Sequence, residues 1–299
     1  MTAITRTNKN QIKSSSSEFW YTFTITAVLI LFGILTAIPL ISELALSLSS
    51  KAASDMNAVT LWPVGFTLDS WKHMLSQNTL WQSFLVSVSS TIVGVAVALI
   101  INVLMAYPLA KDDFPLRKAL MLYLIFTMIF KAPTVPYYLL IVKLGLRNNF
   151  LVLVVPHILT AYNLIVMRSF FRSFPRDVEE AAEIDGCGKF GILFRIVMPS
   201  SKPVLMTVGL YYGVTMWNQY QNPLMFITNP KLFPLQLRIQ QIVSTGAEIE
   251  SVTKVANVNY TANTLSAVVV LFAVLPVLVV YPFIQKHFTK GAMVGSVKG

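Results

Sequence analysis

Charge is scarce in this 299-residue chain: Asp, Glu, Lys and Arg make up 12% of it, about half of the roughly 25% usual in soluble domains. With 55% hydrophobic residues and a mean hydropathy of +0.64, the deficit excludes a water-soluble globule and marks an integral membrane protein. Cysteine is limited to Cys187, which excludes an internal disulfide, and its place between Gly186 and Gly188 reads as a small filler. No GxxxxGK[ST] loop occurs, so nothing in the chain can cradle and hydrolyse ATP in that way. The three histidines form no cluster with Asp or Glu at one depth, so no metal site, redox centre or acyl- or phosphoryl-transfer site is expected. Internal repeats are also missing, and Glu43, near the outer end of the first apolar run, is the only acidic candidate for ion coupling, which argues against a secondary transporter.

What is present is apolar length. A helix needs roughly 20 residues to cross about 30 Å of hydrocarbon, and six such stretches are expected. They run from Trp20 to Leu46, Leu80 to Ala110, Ala119 to Val142, Phe150 to Met167, Val204 to Ile227 and Thr261 to Phe283. The third must pass Lys131, Pro133 and Pro136, so it is kinked or made of two pieces, and backbone groups freed there need protein or water partners. Prolines 156 and 276 are expected to break spans four and six. The predicted organisation is a polar tail at 1–19, a six-span domain at 20–288 and a tail at 289–299. The first apolar run lacks a small-residue cleavage site and reads as a retained anchor.

Basic residues orient these spans. With the N-terminus inside, the inner segments hold fifteen of the 23 Lys and Arg residues against seven outside, with Lys131 left within a span. The bias places both termini and the loop at 172–202 in the cytoplasm. The net charge of +10 reflects that bias, not nucleic-acid binding. In the outer loop, FTLDSWKHML at 66–75 reads as a short interfacial helix with Phe66, Leu68, Trp71 and Leu75 near one face.

The inner loop carries EEAAEIDGCGKFGILFRIVMP at 179–199. Glu179 to Ile184 are good helix formers and Gly186 and Gly188 poor ones, so a short helix should end there. Asp177 stands where an N-cap could sit, and the acids complement the helix dipole. This segment resembles the EAA signature of permease subunits in binding-protein-dependent ABC importers. The match falls on Glu180, Ala181, Ala182, Asp185, Gly186, Ile196 and Pro199, within a likeness covering about residues 20–299. FPRDVEEAAEIDG, LFRIVMPSSKP, MWNQYQNP and FPLQL resemble more narrowly the carbohydrate branch, and within it the second permease of maltose-type and oligosaccharide importers, the alginate type among them.

The resemblance implies an all-α type I permease fold in the bacterial inner membrane. It implies as partners a second homologous permease, two ATPase subunits that bind ATP and Mg, a soluble sugar-binding protein and membrane lipid, with no cofactor in this chain. It implies too that Glu179, Glu180, Ala181, Ala182, Asp185 and Gly186 belong to a coupling helix docked on an ATPase. By the same likeness the C-terminal tail reaches the ATPases, and the outer loop at 228–260, with Arg238, Gln240, Gln241, Glu248 and Glu250, meets the receptor.

A path for sugar is expected where polar groups sit at membrane depth. Lys131 is the one cation there, and a buried-depth cation faces a cavity or a counter-charge. It suggests a client with negative charge, such as a uronate-containing oligosaccharide; snorkelling to the surface or capping a helix end explains it equally well. Tyr211, Tyr212, Trp217, Asn218, Gln219, Tyr220, Gln221 and Asn222 offer aromatic faces and amides in span five, though not all on one face. Tyr137 and Asn163 are further candidates, and His157 reads as an interhelical hydrogen-bond partner.

Overall fold

The computed structural model describes residues 16–244 and 258–296, and every regular element in them is helical. The expected tail up to residue 15, the acidic pair Glu248 and Glu250, and the last residues of the C-terminal tail, 297–299, lie outside the described residues. Helix α1 (Ser16–Ser47) crosses in one piece, and its large apolar side chains stay exposed from Trp20 to Leu44, a surface suited to hydrocarbon and not to water. Two short helices follow, α2 (Lys51–Asp55) and α3 (Asp69–Leu75). The expected short helix is α3, which buries Ser70 and Met74, with the Trp71 indole donating to Ser47 Oγ at 3.2 Å, while Phe66, Leu68 and Leu75 stay exposed. Its inner face packs onto the start of the last helix, where Ser70 Oγ donates to Thr264 Oγ1 at 3.0 Å.

Helix α4 (Asn78–Ala110) is 33 residues long, about 50 Å at 1.5 Å per residue. Its buried face is a stripe of small residues at three- and four-residue spacing: Ser83, Ser87, Ser90, Gly94, Ala98, Asn102 and Ala106. Small side chains let helices approach closely in a membrane. A Cβ at Gly94 would lie 2.2 Å from Met216 Sδ of the fifth span.

The third span is two pieces, α5 (Arg117–Ile129) and α6 (Thr134–Lys143), with axes 117° apart across Phe130–Pro133. The fourth begins as 3₁₀ turns at Phe150–Leu153 and Val155–His157 around Pro156 and continues, bent by 51°, as α7 (Ala161–Arg172). Then come α8 (Arg176–Ile184), α9 (Lys189–Ile192), a π turn at Leu193–Val197, and α10 (Met198–Ser200).

Span five departs from the expected single run. It is α11 (Lys202–Trp217), a gap at Asn218–Tyr220, and α12 (Gln221–Phe226). Pro223 explains the gap: in a continuous helix its ring would meet the carbonyl of Gln219, whereas in the first turn of a new helix it is tolerated. After α13 (Leu235–Ser244), the last span, α14 (Ala262–Ser296), runs unbroken through Pro276, contrary to expectation, and on through Gly291 into the predicted tail. The Trp217 indole donates to the Ala273 carbonyl at 3.3 Å and so ties span five to span six.

Three helices are long and apolar enough to cross alone, and five spans result when the two bent pairs count. Helix α11, at 16 residues about 24 Å, makes the sixth together with α12. Contacts fix sidedness. Ser54 meets Thr261 at 2.9 Å, and Asn148 Oδ1 accepts from the backbone of Thr228 and Asn229 at 3.1 and 2.9 Å, so the loops after spans one, three and five lie at one end. At the other end the residues after α4 pair with α8. The α5–α6 pair therefore runs from the α8 end to the opposite end.

Candidate functional site

Two polar junctions hold the candidate residues. The first lies at the α8 end of α4. Pro175, not the expected Asp177, occupies the N-cap of α8 with no side-chain cap, and Asp177 falls in the first turn with Glu179. Proline's fixed φ pre-sets the chain for a helix and carries no N–H to satisfy. At the other end Gly186 adopts φ +83°, Cys187 N–H donates to the Ala182 carbonyl at 2.9 Å and Gly186 N–H to Glu183 at 3.0 Å. That double bond is a Schellman stop, which needs the left-handed conformation glycine adopts without strain. Cys187 packs partly buried on the core beside Ala182, as a filler should.

The burial pattern divides α8. Glu179 and Ala182 face the protein, whereas Val178, Glu180, Ala181, Glu183, Ile184 and Asp185 face out, Ile184 at 86% exposure. Glu179, 5% exposed, accepts from Tyr107 Oη at 2.9 Å and is ion-paired with Lys111, whose ammonium stands 4.7 Å from the centre of the Tyr107 ring. Asp112 is paired with Arg117 and Arg176 and lies 3.7 Å from Arg172. The Arg117 and Arg176 hydrogen bonds hold its carboxyl below the usual aspartate range. Outside these pairs, Lys189 is bound to Glu183, which raises the lysine above its ordinary value. Beside them a groove of about 380 Å³ is lined by Tyr107, Pro108, Lys111, Phe114, Lys189 and Phe190, among others.

The second junction lies where spans four and five break. Asn102 of α4, fully buried, donates to the carbonyls of Ala98 (2.7 Å) and Ile158 (3.3 Å) and to Tyr212 Oη (2.9 Å). Tyr212 Oη also accepts from the Thr160 backbone at 3.0 Å. Gln219 donates to the Leu153 carbonyl at 3.0 Å, and Asn222 joins His157 Nε2 at 3.1 Å to Tyr137 Oη at 3.3 Å. Non-helical backbone at membrane depth survives only where protein or a water-filled cavity satisfies it. Here neutral side chains supply the partners along residues 153–160.

The expected path residues thus separate. Trp217 is buried between span six and Phe84, whose ring centre is 6.2 Å away. Asn163 is buried on α7, and Asn222 and Tyr137 are half-buried and bonded to each other. Asn218, Tyr220 and Gln221 are exposed around the span-five break, with Gln236 of α13 reaching Asn218 at 3.5 Å. Lys131 is exposed in the bend between α5 and α6. Tyr107, Lys111, Asp112, Asn102 and Gln236 were not singled out from sequence, whereas Tyr212, named with the aromatic stretch of span five, is buried in this junction. A lone amide in a long apolar run was the available signal for Asn102, and two opposite charges closing a span that for Lys111 and Asp112.

Residues 80–293 match the family described as binding-protein-dependent transport system inner membrane component. The chain is 37% identical over 277 residues to the polygalacturonan/rhamnogalacturonan transport system permease protein YtcP of Bacillus subtilis (strain 168), covering 92% of this chain and 97% of that protein. It is 28% identical over 266 residues to the arabinooligosaccharides transport system permease protein AraQ of Halalkalibacterium halodurans, covering 87% and 91%. A chain in the crystal structure of a bacterial ABC transporter involved in the import of the acidic polysaccharide alginate superposes with a TM-score of 0.85 at 28% identity, covering 92% of this chain and 98% of that one.

Proposed function

The chain belongs to the family of inner membrane components of binding-protein-dependent transport systems, and from that premise we propose that it forms half of an importer pore for acidic oligosaccharides. It is a permease subunit of an ABC importer, and its clients are oligosaccharides. The match over residues 80–293 carries this reading. Helix α8 supports the rest: an exposed acidic helix, with Glu180, Ala181, Asp185 and Gly186 on its outward side and stop, suits a basic cleft on an ATPase. Two ATPases bind ATP and Mg, a second permease of the same family closes the pore, and a soluble receptor delivers the sugar. Glu179 serves from the inner face of that helix, with Ala182 packed behind it.

The α8 side is the cytoplasmic side, since it carries the excess of basic residues. Both tails, 1–19 and 289–299, then lie in the cytoplasm around the six-span domain, and the apolar surface of α1 meets lipid. Lys131, exposed at the bend of span three, supplies counter-charge to a uronate carboxylate; similarity to polygalacturonan and alginate systems favours that client class. Asn218, Tyr220 and Gln221 line the path with exposed amide and ring, whereas Tyr137, Asn163, Trp217 and Asn222 shape its wall. The test is receptor-stimulated ATP hydrolysis in the reconstituted assembly, comparing oligogalacturonate and alginate oligomers with neutral arabinooligosaccharides. Acidic oligomers should stimulate and Lys131→Met should weaken that response selectively. Equal stimulation by neutral sugars, unchanged in Lys131→Met, would remove the acidic reading.

A further inference from the structure

Resting on the reading of α8 as the ATPase-docking helix, we infer that Lys111 and Asp112 are positioning residues that clasp α8 to the end of the second span. Through them a displacement of α8 moves that span directly, and not only the two spans that flank α8 in the chain. Arg176 and Glu179 are three residues apart and so share one helix face. Consecutive residues of opposite sign at the end of α4 meet them, Lys111 on Glu179 and Asp112 on Arg176. The two pairs have opposite polarity, so register is read: sliding α8 by one turn sets Arg176 against Lys111. Tyr107 adds a third tie to Glu179 from the last turns of α4, and Arg168 of α7 donates to the Leu109 carbonyl at 2.8 Å.

The clasp divides the labour of two adjacent glutamates. Glu179 is 5% exposed and committed to Tyr107 and Lys111, so its charge is not offered to a docked partner. Glu180, one residue on, faces outward. The second span is also the element to which the rest is tied. Gly94 meets Met216 of span five, and Asn102 reaches both the break of span four and Tyr212 of span five. Force applied at the clasp therefore reaches spans four and five through one unbroken helix.

The experiment uses the complete importer in proteoliposomes with its receptor and a mixed digest of alginate and polygalacturonate, reading oligosaccharide imported per ATP hydrolysed. Lys111→Glu and Glu179→Lys should each lower that ratio about tenfold while the ATPases still copurify, and the double reversal should return it to within about threefold of the parent. An unchanged ratio in either single variant, or a double variant no better than the singles, overturns the clasp. If the reversals do not assemble, Glu179→Gln decides: it keeps the size and the bond from Tyr107, so a roughly threefold or greater drop supports the clasp and a parental ratio overturns it. Ile184→Asp, on the opposite face, tests the docking reading separately. Loss of the ATPases supports it, whereas a fully assembled importer with the parental ratio rejects docking whatever the clasp variants show.

Discussion

The second span is fastened twice, and the two fastenings differ in chemistry. At its α8 end, full charges meet: Lys111 with Glu179, and Asp112 with three arginines. Deeper along the span the groups are neutral: Asn102 donates to Tyr212 Oη and to the Ile158 carbonyl, and around it Tyr212, Gln219, Asn222 and His157 tie spans four and five together. Depth accounts for the difference. A charge at the centre of a bilayer is unfavourable by about 2.5–3.5 kcal/mol or more, whereas near water an ion pair is nearly neutral energetically but selective for register. The end of the span can therefore hold a joint that discriminates positions, while its middle must hold one that does not ionise.

The strongest way to break that contrast is to put a charge in the middle. Asn102→Asp places a carboxylate at a fully buried position. It should cost roughly 3 kcal/mol or more and sharply reduce the yield of folded protein; thermal unfolding in detergent measures it. Gly94→Leu comes next, because a side chain there collides with Met216. We expect a loss of about 1–3 kcal/mol, partly recovered by adding Met216→Ala, which opens space. Lys111→Met leaves buried Glu179 with Tyr107 alone and should destabilise by about 1–3 kcal/mol.

Asp112→Asn should change stability least, since that carboxylate is exposed and its pairs are screened. The pH response sharpens the comparison further. The carboxyl of Asp112 is lowered in the folded chain, so its contribution is full above the ordinary aspartate range and is lost only as pH falls through the lowered value. Lys189 is raised, so its contribution is full below the ordinary lysine range and lost as pH climbs through the raised value. Coupled ATPase activity limited by these pairs should be flat between about pH 5 and pH 9. A step inside that window would show that another group governs the joint.

Much of this was legible in the residues. Six apolar runs, the glycine stop of α8 and the divided third span follow from composition and from where proline and glycine fall. Span five was not read correctly, although Pro223 was in plain sight. A run of apolar residues conceals the strain that a proline ring places on the carbonyl four residues earlier. Span six shows the converse. Pro276 leaves its helix intact, and whether a proline breaks a helix or is absorbed by it depends on tertiary packing that has no signature in the local sequence. For the same reason the amides of span five read as ligands for sugar when Gln219 and Asn222 are bound to the broken backbone and side chains of span four and its neighbours. Glu179 and Glu180 look alike in sequence, and only the arrival of α4 behind the helix separates them.

The nesting of Gly94 against Met216 limits what kind of motion this half of a pore can make. Interdigitated side chains obstruct slip along the seam, so spans two and five should swing as one plank, with the give concentrated at the unwound residues 130–133, 158–160 and 218–220. Rocking, rather than shear, is then the stroke to which the fold is geared.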